Sequence, residues 1–160
     1  ILVVDDEVCN RTIIASMLKN QFIVLEAADA AEALAIVKNH PTPENISIVI
    51  SDQRMPNMNG VELLTILSVI LPKAIRIIVS GYTNVEAFIE SINKAKIYKF
   101  ILKPFERESL LSTIESAIEH FELKQKSDQY LQSLEQLTAT QSKELADKDL
   151  ELKSLRRDKI

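Results

Sequence analysis

Three carboxylates, one hydroxyl and one amine stand just after short apolar runs. Asp5 and Asp6 follow Ile1-Leu2-Val3-Val4, and Asp52 follows the run Ile46 to Ile50 after Ser51. Ser80 follows Ile75 to Val79, and Lys103 follows Phe100-Ile101-Leu102. Runs of this length are strand candidates, so these polar residues fall at the carboxyl ends of strands. Three carboxylates brought together repel one another and are tolerated where a divalent cation bridges them. Hard oxygen ligands with room for water suit Mg²⁺, with Mn²⁺ the other candidate. A hydroxyl and a long-stemmed ammonium on nearby strands could then hold an anion attached at Asp52. Metal, carboxylate nucleophile, hydroxyl and cation are the parts of phosphoryl transfer through an aspartyl phosphate. Taken singly, each is an ordinary polar residue at a strand end; together, on four strands, they are poorly explained that way.

The elements that must position them can be read from the apolar pattern. A further run, Phe22 to Leu25, brings the predicted strands to five. The runs are nearly continuous and β-branched, as expected when helices cover both faces of a parallel sheet. Between them, Val8 to Asn20, Ala30 to Asn39, Val61 to Leu71 and Val85 to Ala95 repeat apolar residues at three and four positions, for example Leu63, Leu64, Leu67 and Leu71. The fold class is α/β, a doubly wound five-stranded parallel sheet of (βα)5 type. With right-handed crossovers the flavodoxin-like order 2-1-3-4-5 is a common solution. Strands 1 and 3 are then neighbours, and Asp5, Asp6 and Asp52 are expected to converge at the switch point.

Composition removes several other classes of function. No run approaches the roughly 18 apolar residues of a membrane span, and the apolar start is too short and too soon acidic for a signal peptide. A cytoplasmic protein is expected. The single cysteine, Cys9, excludes an internal disulfide framework, and with His40 and His120 scattered it excludes a Cys/His zinc site. Net charge −4 gives no general attraction to phosphate backbones, so direct nucleic-acid binding by this chain is not expected. Cys9 and Met17 read as packing residues, His40 as a loop residue and His120 as a helix-surface residue. Gly60 reads as a position of close backbone packing where a helix begins. Starting without Met and ending within a polar helical pattern, the chain is expected to be part of a longer protein.

Leu2-Val3-Val4-Asp5-Asp6-Glu7, Asp52-Gln53-Arg54-Met55-Pro56-Asn57-Met58-Asn59-Gly60, Ser80-Gly81-Tyr82-Thr83 and Lys103-Pro104-Phe105 occur in that order. Over residues 1 to about 120 the chain resembles the receiver domain of two-component response regulators, the CheY-like type. The resemblance implies that Asp52 accepts a phosphoryl group from a sensor histidine kinase or a phosphotransfer protein. It implies that Asp5 and Asp6 bind Mg²⁺ with Asp52 and the backbone carbonyl of Arg54. Ser80 corresponds to the hydroxyl residue that moves toward the phosphoryl group, Lys103 to its ion-pair partner, and Phe100 to the aromatic switch. The face made by the fourth helix, fifth strand and fifth helix would be repacked. The Lys103-Pro104 bond is expected to be cis, as is typical of the family. Arg54 and Tyr82 stand where the family governs water access, and a long basic side chain and a ring there imply slow self-dephosphorylation. The chain is expected to act on itself, not as an enzyme on an outside substrate.

After Pro104 nothing breaks a helix, and half of the charged side chains lie beyond it. A fifth helix should start near Glu106, with Leu110, Leu111, Ile114, Ala117, Ile118 and Phe121 toward the sheet. Beyond it the apolar face narrows to Leu123, Ser127, Tyr130, Leu134, Leu137, Gln141, Leu145, Lys148, Leu152 and Leu155, in steps of four and three with one stutter near Gln141. Residues 1–121 therefore read as the receiver and 122–160 as a coiled-coil extension leading to an output domain. If helical throughout, residues 106–160 make a rod on the order of 80 Å long, expected to pair as a parallel homodimer. Two other readings use the same chain. One is a dimerisation scaffold that does not use phosphorylation, against which the complete set Asp5, Asp6, Asp52, Ser80 and Lys103 argues. The other is a small phosphatase with Asp52 as nucleophile, which lacks the second carboxylate just after the nucleophile that general acid work requires.

Overall fold

The computed structural model describes residues 1–81, 93 and 95–157. Its elements are β1 (Leu2–Val4), α1 (Val8–Leu18), β2 (Leu25–Ala27), α2 (Ala30–Asn39), β3 (Ile48–Asp52), α3 (Gly60–Ile70), β4 (Ile75–Ser80), β5 (Lys99–Leu102) and α4 (Arg107–Arg157), with a 3-10 turn at Pro43–Asn45. The strands form one parallel sheet in the order β2-β1-β3-β4-β5, the order read from the sequence. Of the predicted helix at 85–95, only Asn93 and Ala95 are among the described residues; Tyr82 and Thr83 lie outside them.

Continuous apolar runs are explained by the two covered faces. Val3, Ile48, Ile50, Ile77 and Val79 pack with Ile14 and Leu18 of α1 and Leu110, Ile114, Ala117 and Phe121 of α4. Leu2, Val4, Val49 and Ile78 point the other way, toward Ala33 and Val37 of α2 and Leu63, Leu64 and Leu67 of α3. Adjacent residues on a strand therefore serve opposite cores.

The second strand departs from expectation. It spans Leu25–Ala27, not Phe22 to Leu25. The backbone leaves α1 through a turn in which the amides of Gln21 and Phe22 donate to the Leu18 carbonyl, and Phe22 packs beside α1 and α4 instead of pairing. The true strand contains Glu26, tolerated because β2 is an edge strand and Glu26 faces Arg11 and Lys19. Strand β3 runs two residues further than read, so Asp52 is its last residue. Cys9 is exposed and not part of either core, whereas Met17 packs against the core as expected.

The chain divides into two units, Ile1–Glu122 and Leu123–Ile160. Along the second, Leu123, Tyr130, Leu131, Leu134, Leu137, Leu145, Leu150, Leu152 and Leu155 are all exposed. No helix among the described residues is long and apolar enough to cross a membrane.

Candidate functional site

Parallel pairing of β1 with β3 places Val4 opposite Ser51 and brings the strand ends carrying Asp5 and Asp52 side by side. Asp5 is 1% exposed and Asp52 8%. Two carboxylates buried that far need compensation, because removing a charge from water costs several kcal/mol unless it is paired and hydrogen-bonded. Each has two partners. Asp5 Oδ1 accepts from the Glu7 amide at 2.9 Å, and Asp52 Oδ2 from the Arg54 amide at 2.7 Å. The remaining oxygens share one ammonium: Lys103 Nζ lies 2.6 Å from Asp52 Oδ1 and 3.1 Å from Asp5 Oδ2. Burial pulls the Lys103 pKa down, but hydrogen bonds and charge from Asp52 and Asp5 outweigh it and leave it raised.

Lys103 follows β5, whose Leu102 pairs with Ser80, and its own amide donates to the Ser80 carbonyl at 2.8 Å. Ser80 is 2% exposed, at the same sheet edge as Asp52. The Lys103-Pro104 bond is cis, as expected. Asp52, Asp5, Lys103 and Ser80 thus come from the ends of four strands. Asp6 is exposed and does not complete a trio: among the described residues no three acidic, His or Cys side chains converge into a metal-holding group. The expected three-carboxylate cluster is therefore a buried pair bridged by an ammonium, with the third carboxylate left in solvent where repulsion is weaker. A pair of oxygen donors still fits Mg²⁺, which keeps several waters and is held by one or two carboxylates plus phosphate oxygens.

The loop after β3 is tied to the site through Gln53, which the sequence reading passed over. Its side-chain oxygen accepts from the Val61 amide at 3.1 Å and its carbonyl from the Gly60 amide at 3.1 Å, seating the start of α3 beneath Asp52. Asn59 and Glu62 close a reciprocal capping box there. Gly60 is needed for that approach: a Cβ would strike the Asp52 carbonyl oxygen and lie 2.9 Å from Ile78 Cδ1. Arg54 itself is exposed, and Phe100 is half-buried against the core shared with Ala95. Tyr98 stands just before β5 and its ring meets that of His120 at a tilt of 33°, centroids 5.4 Å apart.

Residues 1–115 match the response regulator receiver domain family. The chain belongs to that family. The receiver is 39% identical over 119 residues to the hydrogenase transcriptional regulatory protein HoxA of Cupriavidus necator, covering 74% of this chain and 24% of HoxA. It is 35% identical over 118 residues to the transcriptional regulatory protein FixJ of Rhizobium meliloti, covering 74% of this chain and 56% of FixJ. Among solved structures, NtrX from Brucella abortus superimposes with TM-score 0.71 at 30% identity, covering 79% of this chain and 28% of that one. A CheY-like receiver domain protein from Methanospirillum hungatei superimposes with TM-score 0.70 at 29% identity, covering 77% and 95%. The chain therefore spans between a quarter and about half of the curated regulators it resembles.

Proposed function

We propose that this receiver takes a phosphoryl group on Asp52 from a sensor histidine kinase or a phosphotransfer protein, in a Mg²⁺-dependent reaction. The observation that carries the reading is the Lys103 ammonium held between Asp52 and Asp5, 2.6 and 3.1 Å away, at the edge where Ser80 also ends. A carboxylate oxygen of Asp52 forms the new P–O bond as the P–N bond of the donor phosphohistidine breaks, and the electron pair stays on the imidazole nitrogen. Asp5, Asp52 and the Arg54 carbonyl would hold the ion, with the exposed Asp6 reaching it through a water; when bound, the ion neutralises charge on carboxylate and phosphoryl oxygens. Lys103 and Ser80 hold the remaining phosphoryl oxygens. Arg54 slows hydrolysis of the aspartyl phosphate, a mixed anhydride, by limiting access of water, and the same role is assigned to Tyr82.

The change passes through Phe100 and the face around β5 and the first turns of α4, to a coiled coil over 122–160 and on to an output domain. HoxA and FixJ are transcriptional regulatory proteins of which this chain spans 24% and 56%, which supports an input role for it; the compartment proposed is the cytoplasm. The exposed apolar residues Leu123, Tyr130, Leu134, Leu137, Leu145, Leu152 and Leu155, on a seam of steps of three and four completed by polar residues, support pairing with a second copy, proposed to be parallel. Sedimentation tests it: a strict monomer at high concentration removes the dimer from the reading.

The chemistry is tested by intact-mass spectrometry after incubation with acetyl phosphate, with and without Mg²⁺, on the wild type and Asp52→Ala. One adduct requiring both Mg²⁺ and Asp52 is expected. Absence of an adduct on folded protein, repeated with a second phosphodonor and checked for rapid hydrolysis, overturns the reading in favour of a phosphorylation-independent dimerisation scaffold.

A further inference from the structure

Every polar group of Asp5 is anchored. Its amide donates to the Ala27 carbonyl at 3.2 Å, its two carboxylate oxygens take Glu7 and Lys103, and its carbonyl accepts from Arg11 Nη1 at 2.6 Å. That last bond reaches back from the first turn of α1 to the turn after β1. Arg11 is in turn held from the edge of the sheet: its Nε lies 3.7 Å from Glu26 Oε2 in β2, and Glu26 Oε1 lies 2.8 Å from Lys19 Nζ at the end of α1. The Arg11 side chain is only 15% exposed, so its guanidinium is largely withdrawn from water between these partners.

We propose that Arg11 is a positioning residue of the acidic pocket, fixing the peptide plane between Asp5 and Asp6 through the Asp5 carbonyl, with Glu26 and Lys19 holding it there. The proposal rests on the reading of Asp5 and Asp6 as cation ligands. Because the peptide unit is planar, the direction of the Asp5 carbonyl sets the direction of the Asp6 amide and the place of its Cα. A guanidinium offers several rigidly disposed donors, so one group can meet the carbonyl and still face Glu26. The Asp5 side chain is fixed by other bonds; the route by which the exposed Asp6 is held to a reproducible orientation runs through this carbonyl.

Two opposite effects follow from deleting Arg11, and their signs separate the proposal from simple electrostatics. Removing a positive charge near a cation site tightens cation binding. Removing a group that orients ligands weakens it, in metal sites by about 10- to 100-fold. Calorimetric titration of Mg²⁺ into the unphosphorylated full chain decides between them. Arg11→Met is expected to weaken Mg²⁺ binding about tenfold while the far-UV circular dichroism stays that of the wild type. Arg11→Lys, which keeps a donor and the charge, is expected to recover most of the loss. Lys19→Met, at a largely exposed position that leaves folding intact, is expected to weaken binding about twofold, in the same direction. Equal or tighter Mg²⁺ binding by folded Arg11→Met overturns the proposal; should that variant not fold, equal or tighter binding by Lys19→Met does so. A wild type that binds no Mg²⁺ overturns the acidic-pocket reading itself, which keeps the two failures distinct.

Discussion

Replacing Lys103 by Met removes the ammonium that bridges two buried carboxylates, and the size of the effect can be worked from the site. With Nζ 2.6 Å from one oxygen and 3.1 Å from the other, those oxygens are no more than about 6 Å apart. At an effective dielectric of about 20 they repel by about 3 kcal/mol, and each also loses a charge-assisted hydrogen bond. Breaking a buried ion pair from one side costs about 3–5 kcal/mol, so the two routes agree. Lys103→Met in the presence of a chelator is therefore expected to lose about 3 kcal/mol, a fall on the order of 1–2 M in urea midpoint. Saturating Mg²⁺ supplies the missing positive charge, so it should raise the variant's midpoint by more than it raises that of the wild type. The assay is urea unfolding followed by hydrogen exchange of β1 and β3 amides, with Mg²⁺ and with chelator. A variant as stable as wild type in chelator, or an equal gain from Mg²⁺ in both proteins, refutes the claim that Lys103 offsets the repulsion between Asp5 and Asp52.

The Lys103 pKa is raised in the folded chain above its ordinary 10.5. The folded state thus holds that proton more tightly than the unfolded state, and the stabilisation is fully present below pH 10.5 and lost as pH rises through the higher folded value. The stability gap between wild type and Lys103→Met, measured by urea titration in chelator, should accordingly narrow in that alkaline range. Gly60→Ala drives a methyl group into the Asp52 carbonyl and Ile78, and is expected to cost about 1–3 kcal/mol and to slow phosphorylation by acetyl phosphate, because the backbone that carries Asp52 must shift. Arg76 is buried in β4 and donates to the carbonyls of Leu71, Ala74 and Ala95, with burial holding its pKa below the ordinary value. Arg76→Met strands those acceptors and should cost about 2–4 kcal/mol by urea unfolding, without changing the Mg²⁺ affinity of the opposite sheet edge.

What could be read beforehand followed from local pattern, and what could not depended on partners distant in the chain. The central strands are apolar on both faces, so Leu2 to Val4 and Ile48 to Ile50 announce themselves, and the polar residues at their ends fall where strand order says. The edge strand β2 did not, because half its burial is missing and Glu26 interrupts the run. Its place is set by pairing of Leu25 with Leu2 and by two cations on α1, neither of which is a local signal. Arg11 was passed over for the same reason: a basic residue in an amphipathic helix reads as solvated surface until Asp5 and Glu26 are brought beside it. For Lys103, sequence placed it near an anion on Asp52, whereas only the structure showed its ammonium between the two carboxylates. Asp6 is the converse case, an acid adjacent in sequence to a buried one that the turn after β1 leaves outside.

The two charges of the bridge rest on unequal foundations, and that asymmetry bears on how a switch could work here. Asp5 and Asp52 extend from β1 and β3, adjacent central strands whose apolar residues are all buried. Displacing either would disturb both cores. Lys103 comes from β5, an edge strand in which Lys99 and Leu102 are exposed and Phe100 is half-buried. It is tied to the sheet beside it by the hydrogen bond that its amide donates to the Ser80 carbonyl. A phosphoryl group added to Asp52 brings more negative charge and new acceptor oxygens to the ammonium, so its attraction to the Asp52 side grows relative to Asp5. The carboxylates stand on buried strands, whereas their cationic partner stands at the edge. Under the proposed phosphorylation of Asp52, the rearrangement would therefore be expected in β5 and at the half-buried Phe100, not in the sheet centre that carries the carboxylates.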